Sequence, residues 1–496
     1  MSQLSQGHAE KTPPQHPPQH QPEASGLRRS MTSRHLVMIA LGGVIGSGLF
    51  VSSGYTIAQA GPLGAVLAYT VGALVAYMVM SGLGELSARH PVAGGFHAHA
   101  TRDLGPAWGF ATAWLYWMCW AVALASEFTA SGILMQRWFP EVPVWVWSLA
   151  FATLLFTLNA ISSRVFAETE FWFSLIKVAA VLVVIVVGAA TLIGLNPVSD
   201  AGPLGFANFH TDQGLFPMGF SGVLVTILAV FYAFSGTELI GVAAGEAKDP
   251  QRSIPRAIRT AVVRLAVFFI GAIVVIAAIV PFSEAGTDES PFVTVFDAAG
   301  LPAGADIMNF VIITALLSAG NSGLYSCSRM LHSMGLAGQA PKILSKTNRR
   351  AVPMLALSLS ILGGLASLLS SVIAPGSLFL ALVSISGFAV VAVWIVICAS
   401  HLSFRRHHVR VYGNTTSLPY RAPWFPVLPI IALILLTISL IGVGFDPVQR
   451  PALWFGIPFT LACLGYYRWR HGPGVFSPQR GERELSHDTA GTSRAG

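Results

Sequence analysis

The sequence predicts an all-α polytopic membrane protein with about twelve transmembrane helices. Three observations support this fold class: the composition, a series of apolar runs, and the placement of charges between the runs. Of the 496 residues, 53% are hydrophobic and only 10% are charged, and the mean hydropathy is +0.64. Soluble proteins carry about 25% charged residues. Because so few charges cannot cover a water-facing surface, the composition argues against a soluble enzyme.

The apolar runs lie between two polar tails. Residues 1–30 are rich in Pro, Gln and His and lack apolar periodicity, so we expect a disordered tail there and again over 471–496. Between the tails, each run has the length of one membrane-spanning helix. The runs are near residues 36–60, 63–87, 107–137, 143–162, 169–194, 215–245, 257–282, 303–332, 352–373, 375–401, 425–444 and 451–469.

The loops between the runs alternate in charge, which predicts the orientation in the membrane. Arginine and lysine concentrate in every second loop, for example at Arg102, Arg164 and Arg349, whereas the opposite loops carry acidic residues such as Asp200 and Glu289. Basic loops stay in the cytoplasm, so we expect a multi-pass protein of the cell inner membrane with both termini cytoplasmic. The same placement explains the basic pI without a nucleic-acid partner. The run from Arg405 to His408 is expected to face anionic lipid.

The first run contains a cluster of glycines at membrane depth, Gly42-Gly43-Val44-Ile45-Gly46-Ser47-Gly48. Each interior glycine costs about 1 kcal/mol relative to alanine, so the cluster predicts an unwound segment. The N–H groups that begin the next half-helix, at Ser47 and Gly48, suit a carboxylate. The carbonyls that end the preceding half-helix, at Val44 and Ile45, suit an ammonium group. The alternative is a small-residue face for close helix packing.

The sixth run has a similar interruption at Phe234-Ser235-Gly236-Thr237-Glu238. Interruptions in the first and sixth helices are typical of an inverted five-plus-five repeat that binds its substrate at the bilayer midplane.

Several motifs together resemble the amino acid transporters of the amino acid–polyamine–organocation superfamily. They include Arg34-His35-Leu36, GGVIGSGLF, Leu83-Gly84-Glu85-Leu86 and FSGTELIGVAAGE. Phe234–Glu246, Ser318–Gly323 and Asp249–Arg259 are most similar to the bacterial lysine-specific permeases. The resemblance implies a LeuT-type bundle. Residues 31–401 would form the ten-helix transport core, and 402–470 two peripheral helices with the cytoplasmic loop before them.

Ionisable residues inside spans are costly unless they are paired or hydrated, so each is a functional candidate. Lys177 lies inside the fifth span, and the resemblance implies that its ammonium replaces a bound sodium ion and supports proton coupling; snorkelling to the interface is the alternative. Glu238 follows the break in the sixth span. It is a candidate to accept the side-chain ammonium of lysine, to exchange a proton, or to hydrogen-bond unwound backbone.

Other candidates share helix faces. Tyr116, Trp120 and Glu127 are spaced to lie on one face of the third span; the alternative for the aromatic residues is an interfacial belt. The lysine permease resemblance also implies an acidic residue at position 127, there an aspartate. Asn321 and Tyr325 lie four apart in the eighth span and suit either a pocket or close packing. Glu85 and Glu246 end their helices beside cytoplasmic loops, where each is expected to anchor loop arginines or to gate the inner mouth.

Together with the resemblance, these residues predict a transporter that takes up cationic amino acids, above all L-lysine, with protons and by alternating access. The carboxylate of the substrate would bind at Ser47 and Gly48. Its α-ammonium would bind at carbonyls around Val44, Phe231 and Phe234, close to Ser235. Glu238 or Glu127 would hold the cationic side chain. A permease for neutral or aromatic amino acids or for 4-aminobutyrate, and a sensor without transport, remain open. We expect no enzyme activity, cofactor or metal, because His-Glu-x-x-His, Cys/His and Gly-Lys-Ser/Thr motifs are absent.

Overall fold

The computed structural model describes residues 42–92, 95–161, 163–195, 205–211, 213–242, 249–350 and 352–479, with backbone alone for 163–171 and 242. This part of the chain is helical, with a single isolated bridge between Thr211 and Gly214. The α-helices are α1 Ser47–Phe50, α2 Ser52–Arg89, α3 Phe96–Asp103, α4 Pro106–Met135, α5 Val144–Ile161, α6 Ser163–Leu192, α7 Gly219–Ala233, α8 Leu239–Val242, α9 Pro250–Ile279, α10 Pro291–Ala298, α11 Pro302–Leu336, α12 Met354–Gly364, α13 Pro375–Tyr412, α14 Val427–Val443 and α15 Arg450–His471.

The helix lengths agree with a membrane protein. Over the residues that the structure describes, eight helices are long and apolar enough to cross a bilayer, and α7 and α14 are shorter apolar helices. The all-helical, polytopic character predicted from the sequence is therefore confirmed. The count of twelve spans and the inverted repeat stay predictions.

The first span is interrupted inside the glycine cluster. Residues 42–44 are helical, residues 45 and 46 form a bend, and α1 begins at Ser47. Further along, α2 contains a kink at Gly61, with φ of 73°, directly before Pro62. This kink separates residues 52–60, the continuation of the first span, from the second span. A Cβ at Gly61 would lie 2.6 Å from Pro217, so the position requires glycine for both conformation and space.

The sixth span is interrupted as well, and the two breaks face each other. Helix α7 ends at Ala233, and turns over 234–238 lead into α8. A Cβ on Gly236, whose φ is 96°, would lie 3.1 Å from the carbonyl of Gly43, and one on Gly48 would lie 2.7 Å from Cα of Ala233. The glycines therefore serve both roles considered for them, because they end regular helix and also allow close backbone contact.

The remaining helices surround these breaks. Helix α2 packs on α7 and α9, and α4 packs on α11 and α13. Large side chains that are fully buried between them include Tyr69, Phe231, Phe234 and Trp394. Helices α14 and α15 pack against α13 and expose apolar side chains such as Ile441 and Trp454, as a lipid-facing surface does.

Helix α13 continues to Tyr412, well beyond the apolar run that ends near residue 401. Hydropathy reports bilayer depth, whereas this helix ends where Gly413 adopts a left-handed conformation with φ of 71°. The extension carries Arg405, which is buried and forms an ion pair with Glu85. The expectation that Arg405 faces lipid was therefore wrong, because a partner on another helix holds its charge inside the bundle.

Candidate functional site

The carboxylate of Glu127 lies at the start of α1. The backbone N–H of Ser47 donates to both carboxylate oxygens at 3.2 Å, and the Ser47 hydroxyl donates to Oε1 at 2.9 Å. Glu127 projects from α4 and is only 6% exposed. A Cβ at Gly46 would lie 2.7 Å from its Oε1, so the carboxylate approaches the backbone as closely as it does because this residue is glycine.

Lys177 lies at the other side of the same break. Its ammonium donates to the carbonyl of Gly42 at 2.6 Å, and the side chain is fully buried. This contact differs from the snorkelling alternative, in which the ammonium would reach the membrane surface. Lys177 and Glu127 thus contact the carbonyl side and the N–H side of one helix break.

The signs of these charges match the polarity of the backbone. A helix has excess positive charge at its N-terminal N–H groups and excess negative charge at its C-terminal carbonyls. The carboxylate of Glu127 and the ammonium of Lys177 each lie at the favourable pole. Since both residues are distant in sequence from the break, tertiary packing alone brings them there.

Tyr232 links the two breaks. Its hydroxyl lies 2.8 Å from the Ser126 hydroxyl and 3.3 Å from the Ser47 hydroxyl, and it donates to Glu127 at 3.4 Å. On the opposite side, the Tyr69 hydroxyl donates to the carbonyl of Gly48 at 3.2 Å. The end of α7, the start of α1 and helix α4 therefore share one buried polar network.

Glu238 lies at the break in the sixth span and is 1% exposed. Its Oε1 accepts the backbone N–H of Gly236 at 2.9 Å, and its Oε2 accepts the indole N–H of Trp394 at 3.4 Å. The backbone role considered for this residue is present in the structure. Oε2 of Glu238 therefore contacts both α13 and its own turn, where it also accepts from the Thr237 hydroxyl at 3.5 Å.

A small cavity of about 10 Å³ lies between the breaks. One water molecule needs about that volume, so an amino acid fits only if the helices move apart. Predicted site residues in its lining are Val44, Gly48, Trp120, Glu127 and Ser235. The residues of the lining that the sequence analysis did not select are Gly43, Gly46, Cys119, Ala123 and Tyr232.

The aromatic candidates surround this cavity at different distances. Tyr116 and Trp120 meet edge to face with ring centroids 6.3 Å apart. The Tyr116 hydroxyl and the Trp120 indole N–H are buried, and neither makes a hydrogen bond of good geometry within the described residues. Buried polar atoms of this kind are available to a ligand. Phe231 packs on Trp394, and Phe234 packs on Phe269. Phe231 and Phe234 therefore pack against neighbouring helices at the break in the sixth span.

The remaining predicted binding residues are not part of the cavity lining. Ile45 is buried in the bend itself. The Asn321 side-chain oxygen accepts from the Asn159 amide at 2.7 Å, and the Arg329 guanidinium lies 5.1 Å from the Tyr325 ring centroid. The structure therefore turns Asn321 toward α5, a neighbour on the outside of the bundle.

Glu85 belongs to a different ion cluster at the end of α2. It accepts from Arg405 through both oxygens, from the backbone N–H of Ala422 at 2.6 Å, and lies 3.3 Å from His401. Glu85 is fully buried, so this pair fastens α2 to α13, which agrees with the anchor role considered for it. Glu246 lies outside the described residues.

A second cavity, of about 20 Å³, opens beside this cluster and is lined by Arg89, His90, Arg102 and Asp103 among others. Burial, together with the charges of Arg102 and Arg89, lowers the pKa of His90 to about 3. His90 is therefore neutral at pH 7, and the charge of Arg102 is paired with Asp103 at 2.6 Å.

Tyr232 and Trp394 are the main functional candidates that the sequence analysis missed. Tyr232 lies in the last turn of α7, two residues before Phe234, but an aromatic residue at a helix end looks like ordinary core. Trp394 gives no local signal, because its contact with Glu238 joins residues far apart in the chain. Within the described residues, no group of three or more His, Cys, Asp or Glu side chains is placed to hold a metal ion.

Comparisons with known proteins identify the family. The amino acid permease family model matches residues 35–467. The chain is 49% identical to the amino-acid permease RocE of Bacillus subtilis and 42% identical to the lysine-specific permease LysP of Escherichia coli. These alignments cover 89% and 90% of the chain, and 94% of each relative. It is also 37% identical to the gamma-aminobutyric acid permease of Bacillus subtilis, over 90% of the chain and 94% of that relative.

The match spans nearly the whole membrane region, and the helices suit a bilayer. The chain therefore belongs to the amino acid permease family, within the amino acid–polyamine–organocation superfamily, and is a multi-pass membrane transporter of amino acids rather than an enzyme.

Proposed function

We propose that this permease imports cationic amino acids, most favourably L-lysine, together with protons across the cell inner membrane. The observation that carries the proposal is the charge of the site. Among the described residues, Glu127, Glu238 and Lys177 are the buried acidic and basic side chains at the two breaks. If all three are ionised, they sum to one negative charge. A cationic amino acid carries one net positive charge and would neutralise the site before the coupled proton is added, which lowers the cost of burying its charge.

The proposed binding mode uses both breaks. The substrate carboxylate would bind the N–H groups of Ser47 and Gly48, and the α-ammonium would bind carbonyls near Val44, Phe231 and Phe234. Glu238 would receive the cationic end of the side chain, since it is the carboxylate at the second break. The faces of Tyr116 and Trp120 would add cation–π contacts of about 0.5–2 kcal/mol each.

Proton coupling is assigned to Lys177, with Glu127 and Glu238 as the exchanging carboxylates. The contact of Lys177 with Gly42 supports this role, because a change in its charge would alter the end of the first half-helix. Moving one lysine cation and one proton inward at 100 mV yields about 4.6 kcal/mol, or about a 2000-fold accumulation. The helices that carry the breaks would rock against their neighbours to alternate access.

The proposed orientation places Glu85 and Arg405 at the cytoplasmic end. At the opposite end of the bundle, Arg137 forms ion pairs with Glu289, Asp297 and Asp306. This division agrees with the charge asymmetry of the loops, which predicts cytoplasmic termini.

A permease for neutral amino acids or 4-aminobutyrate is the second candidate. It is supported by the 37% identity to a gamma-aminobutyric acid permease. It is also compatible with the net charge of the site, because a proton can supply the positive charge that a neutral substrate lacks.

Uptake into proteoliposomes tests the proposal. Labelled L-lysine should accumulate when the outside is acidic and should stop accumulating when a protonophore is added. Excess unlabelled lysine should suppress uptake more than equal alanine or 4-aminobutyrate. Stronger suppression by a neutral amino acid would favour the second candidate, and saturable binding without flux would indicate a sensor.

A further inference from the structure

The N–H group proposed to bind the substrate carboxylate already has a carboxylate on it. Glu127 accepts the Ser47 N–H and the Ser47 hydroxyl from within the cavity lining. Two carboxylates cannot share this position, because one N–H donor serves one acceptor well and two like charges in contact repel each other. An amino acid can bind there only after Glu127 has moved away.

Lys177 occupies the position expected for the other charged group of the substrate. Its ammonium lies on the Gly42 carbonyl, on the side of the break where the sequence predicts an α-ammonium. The protein thus presents a carboxylate and an ammonium to the two poles of the broken helix, in the arrangement expected for the two poles of an amino acid.

We infer that Glu127 is an internal substitute for the substrate carboxylate, and that its release from Ser47 is the step that admits substrate. The inference rests on the proposed function for the position of the substrate. A hydrogen bond to an ionised carboxylate is about twice as strong as one to a neutral acceptor. Protonation of Glu127 therefore weakens its hold on Ser47 and favours exchange for the substrate.

The groups that face Glu127 determine the charge environment in which this exchange occurs. Lys177 approaches from α6 and Tyr232 from α7, while α1 presents Ser47. Helix α11 contributes the uncharged Ala319 and Gly320. When Glu127 is protonated, the substrate carboxylate replaces its negative charge beside Lys177, and Glu238 remains the carboxylate that pairs with a cationic side chain. The loaded site then carries the charge of the coupled proton.

Variants that differ in the charge of residue 127 test the inference. Purified wild type, Glu127→Gln, Glu127→Asp and the loop variant Glu141→Gln would be compared for equilibrium binding of L-lysine, L-alanine and 4-aminobutyrate between pH 5 and 8. Glu141 is exposed, so Glu141→Gln controls for the substitution itself. Lysinamide lacks the carboxylate and therefore does not compete with Glu127 for Ser47, so it serves as the control ligand.

We expect wild type, Glu127→Asp and Glu141→Gln to bind their preferred amino acid about tenfold more tightly at pH 5 than at pH 8. Glu127→Gln should bind the amino acid equally well at pH 5 and pH 8, with the affinity that wild type has at pH 5. It should exchange substrate across the membrane but should not accumulate it in response to a proton gradient. Lysinamide should show no such dependence on residue 127.

Weaker binding by Glu127→Gln at every pH, with the pH dependence intact, would overturn the inference and make Glu127 a direct ligand of the substrate. A preference for alanine or 4-aminobutyrate over lysine would refute the proposed substrate instead. The competition between Glu127 and the substrate carboxylate for Ser47 would then be tested by measuring the binding of that amino acid to the same variants.

Discussion

The two helix breaks are stabilised in different ways. The break in the first span depends on charged side chains from α4 and α6, since Glu127 and Lys177 reach it from 80 and 135 residues away. The break in the sixth span is stabilised by its own Glu238, which accepts the N–H of Gly236 two residues earlier. The first break is held by tertiary contacts, whereas the second is held by a local turn that also contacts Trp394 on α13.

This difference indicates where a conformational change can act. Movement of α4 or α6 relative to the first span would separate Glu127 and Lys177 from the backbone they contact, whereas the turn around Gly236 would move as a unit. Coupling between proton, substrate and helix movement should therefore be concentrated at the first break.

Lys177→Met should have the largest effect. It removes the ammonium on the Gly42 carbonyl and the positive charge opposite Glu127, in a side chain of similar length. We expect proton-driven uptake to fall at least about tenfold, equivalent to about 1.4 kcal/mol, measured as initial rates in proteoliposomes at equal protein content.

Ile176→Met is the matched control, because Ile176 is the exposed neighbour on the same helix and its variant should keep wild-type uptake. Accumulation by Lys177→Met at the normal rate and with the normal response to pH would remove Lys177 from the coupling mechanism.

Glu238→Gln and Glu238→Ala should have an intermediate effect and separate charge from backbone support. The glutamine oxygen can still accept from Gly236, so Gln should keep the fold but raise the KM for lysine about tenfold. Alanine removes the acceptor as well and should lower the free energy of unfolding by about 1 kcal/mol more, as loss of a helix cap does.

Thermal unfolding in detergent and lysine uptake would be measured on both variants. If Gln keeps the wild-type KM while Ala is less stable, Glu238 serves only the turn, and the contrast between the two breaks becomes sharper.

Asn321→Ala should have the smallest effect on transport. The residue bonds to Asn159 on α5 and does not line the cavity, so we expect uptake within about twofold of wild type and a loss of about 1 kcal/mol in stability. The double variant with Asn159→Ala should cost little more than either single change. A selective rise in KM would instead bring Asn321 into contact with substrate.

The sequence predicted the backbone of the site better than its contacts. Both interruptions are present where Gly42–Gly48 and Phe234–Glu238 indicated them, because glycine preference is local. Glu85 was expected to anchor loop arginines or to gate the inner mouth, but Arg405 was not identified as its partner, since an arginine in a basic run looks like a cytoplasmic surface residue. The orientation of Asn321 was also undetermined, because four-residue spacing gives a helix face but not the neighbour of that face.

By itself, the sequence determined that this chain is a helical membrane protein with two helices weakened at the glycine-bearing segments. Hydropathy and glycine content act over one or two helical turns and can be read along the chain. Only the tertiary structure decided that Glu127 and Lys177 lie at opposite poles of the first break while Glu238 supports the second. Those contacts depend on how separate helices pack, and burial makes each unpaired charge so costly that packing must bring partners together.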